Sequence, residues 1–560
     1  MSLAEIRDRF LAGHLSHWPG EASTLGLRQY DGQLEDLSSE AIGDELDLHR
    51  DTRQALTGLD ADSLSIEDRL DVTMMSALND FVLHVVGDHR DHLINIEMSL
   101  HPYLMLQLQQ RVAHDAERWE SISERIGQIP RYLAQQQALL AEGLEAGRTP
   151  DIDAVSFIGG DQIPHVSKFF AGFADQPASR GIALDRQALQ SLRASCLNAG
   201  IAYAEHGAFL RDHLCPAASI RTLGPDEYAW RLRTTLGVAA SPDEIIERAS
   251  EILDQLCERM VEGVNALNDR SVDSVSDALA LVMEEKKRPL TQRDDQVIAA
   301  YRDIHDRVRD HLRDQQLFHL GPEVDTLGFA PPPPAFTQLG AVTNVAAPLL
   351  DPEGQAWFLI QPDRDSHAAI QAAPLSIHEG IPGHGLQSMW WQANRAKRPS
   401  TVRFLGVPDD VAFARQYFGA MMNIEGWATY AEVLMGESGF YTPLESLWET
   451  WCKMAHASRV VVDASLHTDR MTVAQGEDYL AERAGWPREW AAGELKRYRR
   501  IPLQASCYLL GRLEILDLRD QCRAAQGADF SLPDFHESFF AAGPVAAGHL
   551  KRAWAEGTKS

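Results

Sequence analysis

The chain has 560 residues, a net charge of −29 and six cysteines. That length can bury a large core, and the excess of acid argues against nucleic acid or an anionic membrane as partner. The cysteines, at 196, 215, 257, 452, 507 and 522, form neither a C-x-x-C pair nor the dense framework of a small secreted domain.

Taken in chain order, most of the sequence reads as amphipathic helix. The N-terminal run 1–10 lacks an apolar signal core, and nowhere do about 20 apolar residues follow one another, so the expectation is a cytoplasmic protein that does not enter membranes, a removed signal peptide aside. Helical patterns cover 63–86, 103–147 with an interruption at Pro130, 185–213, 242–267 and 292–316. The fourth has a clear start: Ser241 caps it, Pro242 suits its first position, and Glu244 completes a capping box. No Gly/Ser-rich linker or repeat divides the chain. The expected fold is mainly α: a large helical body with a cleft, formed by a helical half over 1–320 and a half over 321–560 that carries the chemistry, as one continuous domain.

Strands are expected only ahead of that chemistry. Residues 324–328 lead into Pro331-Pro332-Pro333-Pro334, too stiff for a helix interior or a central strand. The β-prone runs 341–347 and 355–360 flank Asp351-Pro352-Glu353-Gly354, which reads as a hairpin. Such a hairpin either closes the core or offers an edge to an extended peptide.

The most informative feature follows. In His378-Glu379-Gly380-Ile381-Pro382-Gly383-His384, two imidazoles and a carboxylate offer what a catalytic zinc ion needs: ligands, and a base for its water. The spacing is not H-E-x-x-H. Positions six apart diverge by about 120° on an ideal helix, so both rings can share a metal only where the helix is broken. Gly380, Pro382 and Gly383 supply the means. The plain alternative is a capping or core His378 and a surface His384. Downstream, Glu425 and Glu432 lie seven apart on a helix-compatible stretch, hence near one face. Glu425 is the expected third ligand, and Glu432 the expected partner of a ligating ring; otherwise both are solvated glutamates.

These residues carry a resemblance. The run 378–387, with Glu425-Gly426-Trp427-Ala428-Thr429-Tyr430-Ala431-Glu432, resembles the bacterial domain-of-unknown-function family 885, which is similar in fold to the thermostable zinc metallocarboxypeptidases. The stretch 459–468 resembles that family's R-V-V-V-D-x-x-x-H segment. The stretch 502–511 resembles its P-x-Q-A-x-S-Y-x-x-G segment, with Cys507 in place of the serine. Gly385 departs from the pattern, since relatives often carry a second histidine there; His384 is then the better ligand.

Arg459, Asp463 and His467 are spaced by four and share a helix face. They form either a solvated ion-pair ladder or a polar row in which His467 donates to an oxyanion while Asp463 fixes its tautomer. Tyr508, on a mostly apolar helix, is a second candidate oxyanion donor or bonds an ordinary carbonyl. The functional expectation is a hydrolase of the metallopeptidase kind, with one Zn²⁺ on His378, His384 and Glu425, and Glu379 as proton acceptor. The resemblance in fold to carboxypeptidases implies peptides with free C-termini as substrates. The rivals are a metal-dependent hydrolase of a non-peptide amide or ester, and a non-catalytic binding protein on the same fold.

Overall fold

The computed structural model describes residues 1–60, 63–267, 271–332, 340–407 and 409–551, and the chain in them is mainly α-helical. It divides into two compact units. One comprises Met1–Arg221, Pro348–Gly354 and Ser400–Tyr417, the other Thr222–Ala347, Gln355–Pro399 and Phe418–Ser560. The boundary expected near residue 320 is therefore displaced to 221/222, and the first unit is discontinuous in sequence. Ion pairs show why. Asp351 lies 3.4 Å from Arg118 and 3.3 Å from Arg28. The guanidinium of Arg403, 1% exposed, bonds Asp71 at 2.6 Å, and Arg415 lies 3.5 Å from Glu21. A buried guanidinium left unpaired costs several kcal/mol, so both late segments are tied to the first unit.

In that unit the main helices are α1 (Ile66–Val82), α2 (His101–Val112), α3 (Ala116–Glu145) and α4 (Arg186–Phe209). The expected interruption at Pro130 does not occur. The break falls instead ahead of α3, where Asp115 caps the helix by accepting from Arg118 N, and Pro130 lies inside it. Proline there costs about 3 kcal/mol. The row Trp119, Ile122, Ile126, Ile129 and Leu133, all 1% exposed or less, outweighs it at about 1.5–3 kcal/mol per buried side chain.

The second unit contains α5 (Pro242–Leu267), α6 (Val297–Asp314), strands β1 (Gly328–Ala330), β2 (Val342–Val345) and β3 (Trp357–Ile360), then α7 (Ala369–Glu379), α8 (His384–Ala393), α9 (Met421–Glu437), α10 (Pro443–His467), α11 (Arg488–Arg500) and α12 (Gln504–Gln526). The capping box of α5 is present, with Glu244 N donating to Ser241 Oγ at 3.3 Å and Ser241 N to Glu244 Oε2 at 2.7 Å. Its buried stripe, Ile245, Ala249, Leu253, Leu256, Met260 and Val264, lies along α10. The hairpin forms as β2 antiparallel to β3, with Val342 opposite Ile360 and Val345 opposite Trp357. Strand β1, which the sequence did not single out, pairs parallel to β3, so the sheet order is β1-β3-β2. Of the proline run, residues 333 and 334 lie outside the described residues.

Helices α9 and α12 cross where Gly426 meets Gly511. A Cβ on Gly426 would stand 2.6 Å from the Gly511 carbonyl carbon, and one on Gly511 2.1 Å from Met422 O. Two helix-interior glycines cost about 1 kcal/mol each in propensity. They buy backbone contact between the helix carrying Glu425 and the helix carrying Tyr508, which Thr429 Oγ1 reinforces by donating to Tyr508 O at 3.0 Å.

Four buried histidines predict how stability follows pH. Burial lowers His49 to about 3, His206 to about 4, His305 to about 4 and His536 to about 3. Each has a folded value below the ordinary 6.5. The unfolded chain therefore binds more protons between pH 6.5 and 4, and stability falls as pH drops through that window, by up to about 1.4 kcal/mol per unit for each group. His378 and the buried carboxyls of Glu379, Glu449 and Asp463, all raised, work in the opposite sense, but burial also lowers His14, His367 and His456, which reinforce the four. The urea midpoint should accordingly be lower at pH 5 than at pH 7.5; a higher midpoint at pH 5 would contradict these assignments.

Candidate metal centre

The site begins where α7 stops. Gly380 N still bonds Ser376 O at 2.9 Å, then the chain turns through Gly380–Gly383 and Gly383 N bonds Ile377 O at 3.0 Å. Helix α8 starts at His384. A Cβ on Gly383 would lie 2.0 Å from His378 O, so only glycine fits this turn, and one on Gly385 would lie 2.7 Å from Gly380 O. No side chain has room at 385. Two anchors hold the turn: Trp427 Nε1 of α9 donates to Pro382 O at 2.8 Å, and Asn344 Nδ2 of β2 donates to Glu379 O at 2.9 Å.

Breaking the helix brings the two rings together. The centroids of His378 and His384 are 4.8 Å apart and their planes nearly perpendicular, at 89°. Glu425 Oε2 lies 3.5 Å from His378 Nε2 and 3.6 Å from His384 Nε2. One donor atom from each of the three falls within 4.8 Å of the others. On its other side His378 Nδ1 bonds Glu432 Oε1 at 2.6 Å. The seven-residue spacing of Glu425 and Glu432 thus clamps one ring from both nitrogens.

This donor set suits zinc. Two imidazoles and a carboxylate leave a fourth position open, and a carboxylate behind a ligating imidazole fixes its tautomer with Nε2 free. Glu425 Oε2 and His384 Nδ1 are buried with no hydrogen-bond partner among the described residues. Burial alone would make His378 neutral, but its bonds to Glu425 and Glu432 hold it well above its ordinary value. Burial would likewise raise Glu425, yet the two histidines hold it well below. Burial raises the carboxyl of Glu379 above the usual range, against the pull of His378 and His384. Removing the Glu432 carboxylate should weaken zinc binding by about 10–100-fold. Competition with a chelator dye on Glu432→Ala measures this; unchanged affinity would separate Glu432 from the site.

The second group of expected residues is only partly brought in. The Tyr508 ring lies nearly parallel to that of His378, with centroids 6.4 Å apart. Its hydroxyl is bonded by Gln504 Nε2 at 3.2 Å, and the guanidinium of Arg459 sits 4.8 Å from its centroid. His467 takes neither role expected of it. It is 1% exposed, Leu223 N donates to its Nδ1 at 3.2 Å, and its Nε2 bonds Tyr498 O at 3.0 Å. Both nitrogens are committed to backbone, which leaves none for an oxyanion. Asp463 does not set that tautomer, since its nearer oxygen lies 3.9 Å from His467 Nε2. It accepts instead from Tyr228 Oη and Ser506 Oγ, each at 2.8 Å, and from Leu503 N at 3.3 Å. Asp463 therefore fixes the start of α12, the helix that bears Tyr508. Nor is the row a solvated ladder: Arg459 pairs with Glu494 at 3.0 Å, not with Asp463.

Two residues beside the site received no role from the sequence. His456, on the face of α10 that bears Arg459, stacks on Tyr508 at 5.3 Å and 17°, and its Nδ1 is buried without a partner among the described residues. Extending the Arg459–Asp463 stripe one turn upstream would have reached it. Gln504 stands four before Tyr508, a spacing that puts both on one face.

The fold and the site together define a helical protein with a two-histidine, one-glutamate centre at a helix break. The chain belongs to the bacterial family of unknown function DUF885, whose profile matches residues 19–553. No curated protein matches it. Two solved structures are similar in fold, both described as candidate lipoproteins of unknown function. The one from Colwellia psychrerythraea has a TM-score of 0.80 at 19% identity, with 99% of each chain covered. The one from Shewanella oneidensis has a TM-score of 0.74 at 19% identity, covering 99% of this chain and 100% of that one. Among the described residues no helix is long and apolar enough to cross a membrane.

Proposed function

We propose that this protein is a zinc-dependent hydrolase of the metallopeptidase kind, acting on peptides with a free C-terminus. The observation that carries the reading is the convergence of His378, His384 and Glu425, with Glu432 behind one ring and Glu379 next in sequence to it. Zinc held there would act as a Lewis acid and lower the pKa of a water beside it towards about 7. Glu379, whose carboxyl burial makes more basic, takes that water's proton and returns it to the leaving amine. Tyr508 stabilises the oxygen of the cleaved carbonyl.

Two further features favour a peptide. Strand β2 pairs only with β3 among the described residues, and its Asn344 touches the end of α7, so its other edge can pair with an extended chain beside Glu379. Arg459 and Arg497 share the single carboxylate of Glu494, and the Arg459 guanidinium lies 4.8 Å from the Tyr508 ring, where it can attract a terminal carboxylate. That likeness in chemistry is what supports a carboxypeptidase-like mode. The description of both similar structures as candidate lipoproteins favours attachment to the cell envelope over the cytoplasm expected from the sequence.

The test is a panel of short peptides with free or amidated C-termini, beside small amides and esters, on zinc-loaded protein. The reading predicts release of the C-terminal residue from the free peptides and none from the amidated ones. Turnover of small amides or esters alone would replace it with the non-peptide hydrolase. Stoichiometric zinc with no turnover of any compound would leave a binding protein.

A further inference from the structure

The hydrogen bonds around Tyr508 have a fixed direction. The guanidinium of Arg497 donates to Gln504 Oε1 and is itself held on Glu494, at 2.8 and 3.2 Å. Glu494 also accepts from Tyr498 Oη at 2.8 Å and from Arg459 at 3.0 Å. An arginine has only donors, so the oxygen of the Gln504 amide must face it, and the flipped amide is excluded. The amide nitrogen then faces Tyr508, 3.2 Å away. That nitrogen can only donate, so the phenol oxygen must accept.

The consequence lies in what remains. This is the one hydrogen bond made by the Tyr508 hydroxyl among the described residues, and its own proton is therefore uncommitted. The ring lies parallel to His378 at 6.4 Å, beside the three converging donors. Gln504 is 2% exposed, so water does not compete freely for its amide.

We propose that Gln504 is a positioning residue: locked by Arg497 and Glu494, it donates to the phenol of Tyr508 and so obliges that hydroxyl to present its proton to a substrate oxygen at the His378–His384–Glu425 centre. The inference goes beyond the hydrolase reading and, for its catalytic effect, rests on it. The direction of the hydrogen bond does not. A tyrosine of either polarity would pack equally well; only the outward-donating one can stabilise a developing oxyanion.

Gln504→Glu reverses the bond with little change of shape, because a carboxylate accepts from both Arg497 and the phenol. The full chain labelled with ¹³Cζ-tyrosine, with Tyr508→Phe to assign the resonance, reads the polarity without any substrate. A phenol that accepts resonates upfield, and one that donates downfield. The expected result is a downfield displacement of the Tyr508 signal in Gln504→Glu and a smaller one in Gln504→Met, which removes the donor without adding an acceptor. A resonance unmoved in both variants would overturn the inference. On a peptide that the zinc-loaded protein cleaves, Gln504→Glu should lower kcat by about 10²-fold, as loss of one oxyanion donor does, with KM unchanged. The double variant with Tyr508→Phe should be no worse than Tyr508→Phe alone, because Gln504 acts only through Tyr508. Additive losses would overturn it. Failure to cleave any peptide would count against the hydrolase reading, while the resonance would still decide the role of Gln504.

Discussion

Glu379→Gln will retain zinc and lose turnover, with kcat lower by about 10²–10⁴-fold. The amide has the shape of the carboxyl but cannot take a proton from water. Nothing else about the residue should change: its backbone ends α7, and its carbonyl keeps the bond from Asn344 Nδ2 at 2.9 Å. Burial raises the Glu379 carboxyl, which brings a carboxylate nearer the range in which a base works at neutral pH. Zinc loaded at the centre would pull that value back down through its charge. A variant with full activity and full zinc would remove Glu379 from the chemistry.

The second large effect is structural. Gly511→Val should destabilise the protein by more than about 3 kcal/mol, the range of severe overpacking, and abolish zinc binding with it. The first atom of any side chain there would stand 2.1 Å from Met422 O and 2.8 Å from Gly426 Cα. These are backbone atoms of α9 and cannot rotate away. The helices must part, and Glu425, next to Gly426, leaves the two histidines. Gly493, inside α11, is the control: an added Cβ there meets nothing within 4 Å, so Gly493→Ala should stabilise by up to about 1 kcal/mol. Urea midpoints and bound zinc measured on both variants check the pair of expectations. Equal small effects would mean that the α9–α12 crossing is not what holds the site.

What could be read beforehand follows the range of the interactions. The helix 242–267 and its cap were legible because Ser241, Pro242 and Glu244 act within one turn. The strands β2 and β3 were legible because a Pro-Glu-Gly turn separates two β-prone runs. The convergence of His378, His384 and Glu425 was legible because the glycines and proline between the two histidines demand a break, and Glu425 and Glu432 share one helix face by arithmetic. The role of His467 was not, because nothing local says that Leu223 N and Tyr498 O will occupy its ring. Strand β1 pairs with a partner about 30 residues away, and the sequence carries no sign of that register. The division of the chain into units depends on the ion pairs of Asp351, Arg403 and Arg415 with residues hundreds of positions earlier, which no periodicity encodes. Pro130 misled because a buried apolar row can outweigh the local cost of a proline.

The central claim is that His378, His384 and Glu425 grip one cation. Its most direct test is a crystal of zinc-loaded protein measured on either side of the zinc absorption edge. One anomalous peak per chain is expected, about 2.0–2.2 Å from an imidazole nitrogen of each histidine and from a carboxylate oxygen of Glu425, and lost in His384→Ala. A peak elsewhere, or none at these three side chains in protein saturated with zinc, would contradict it.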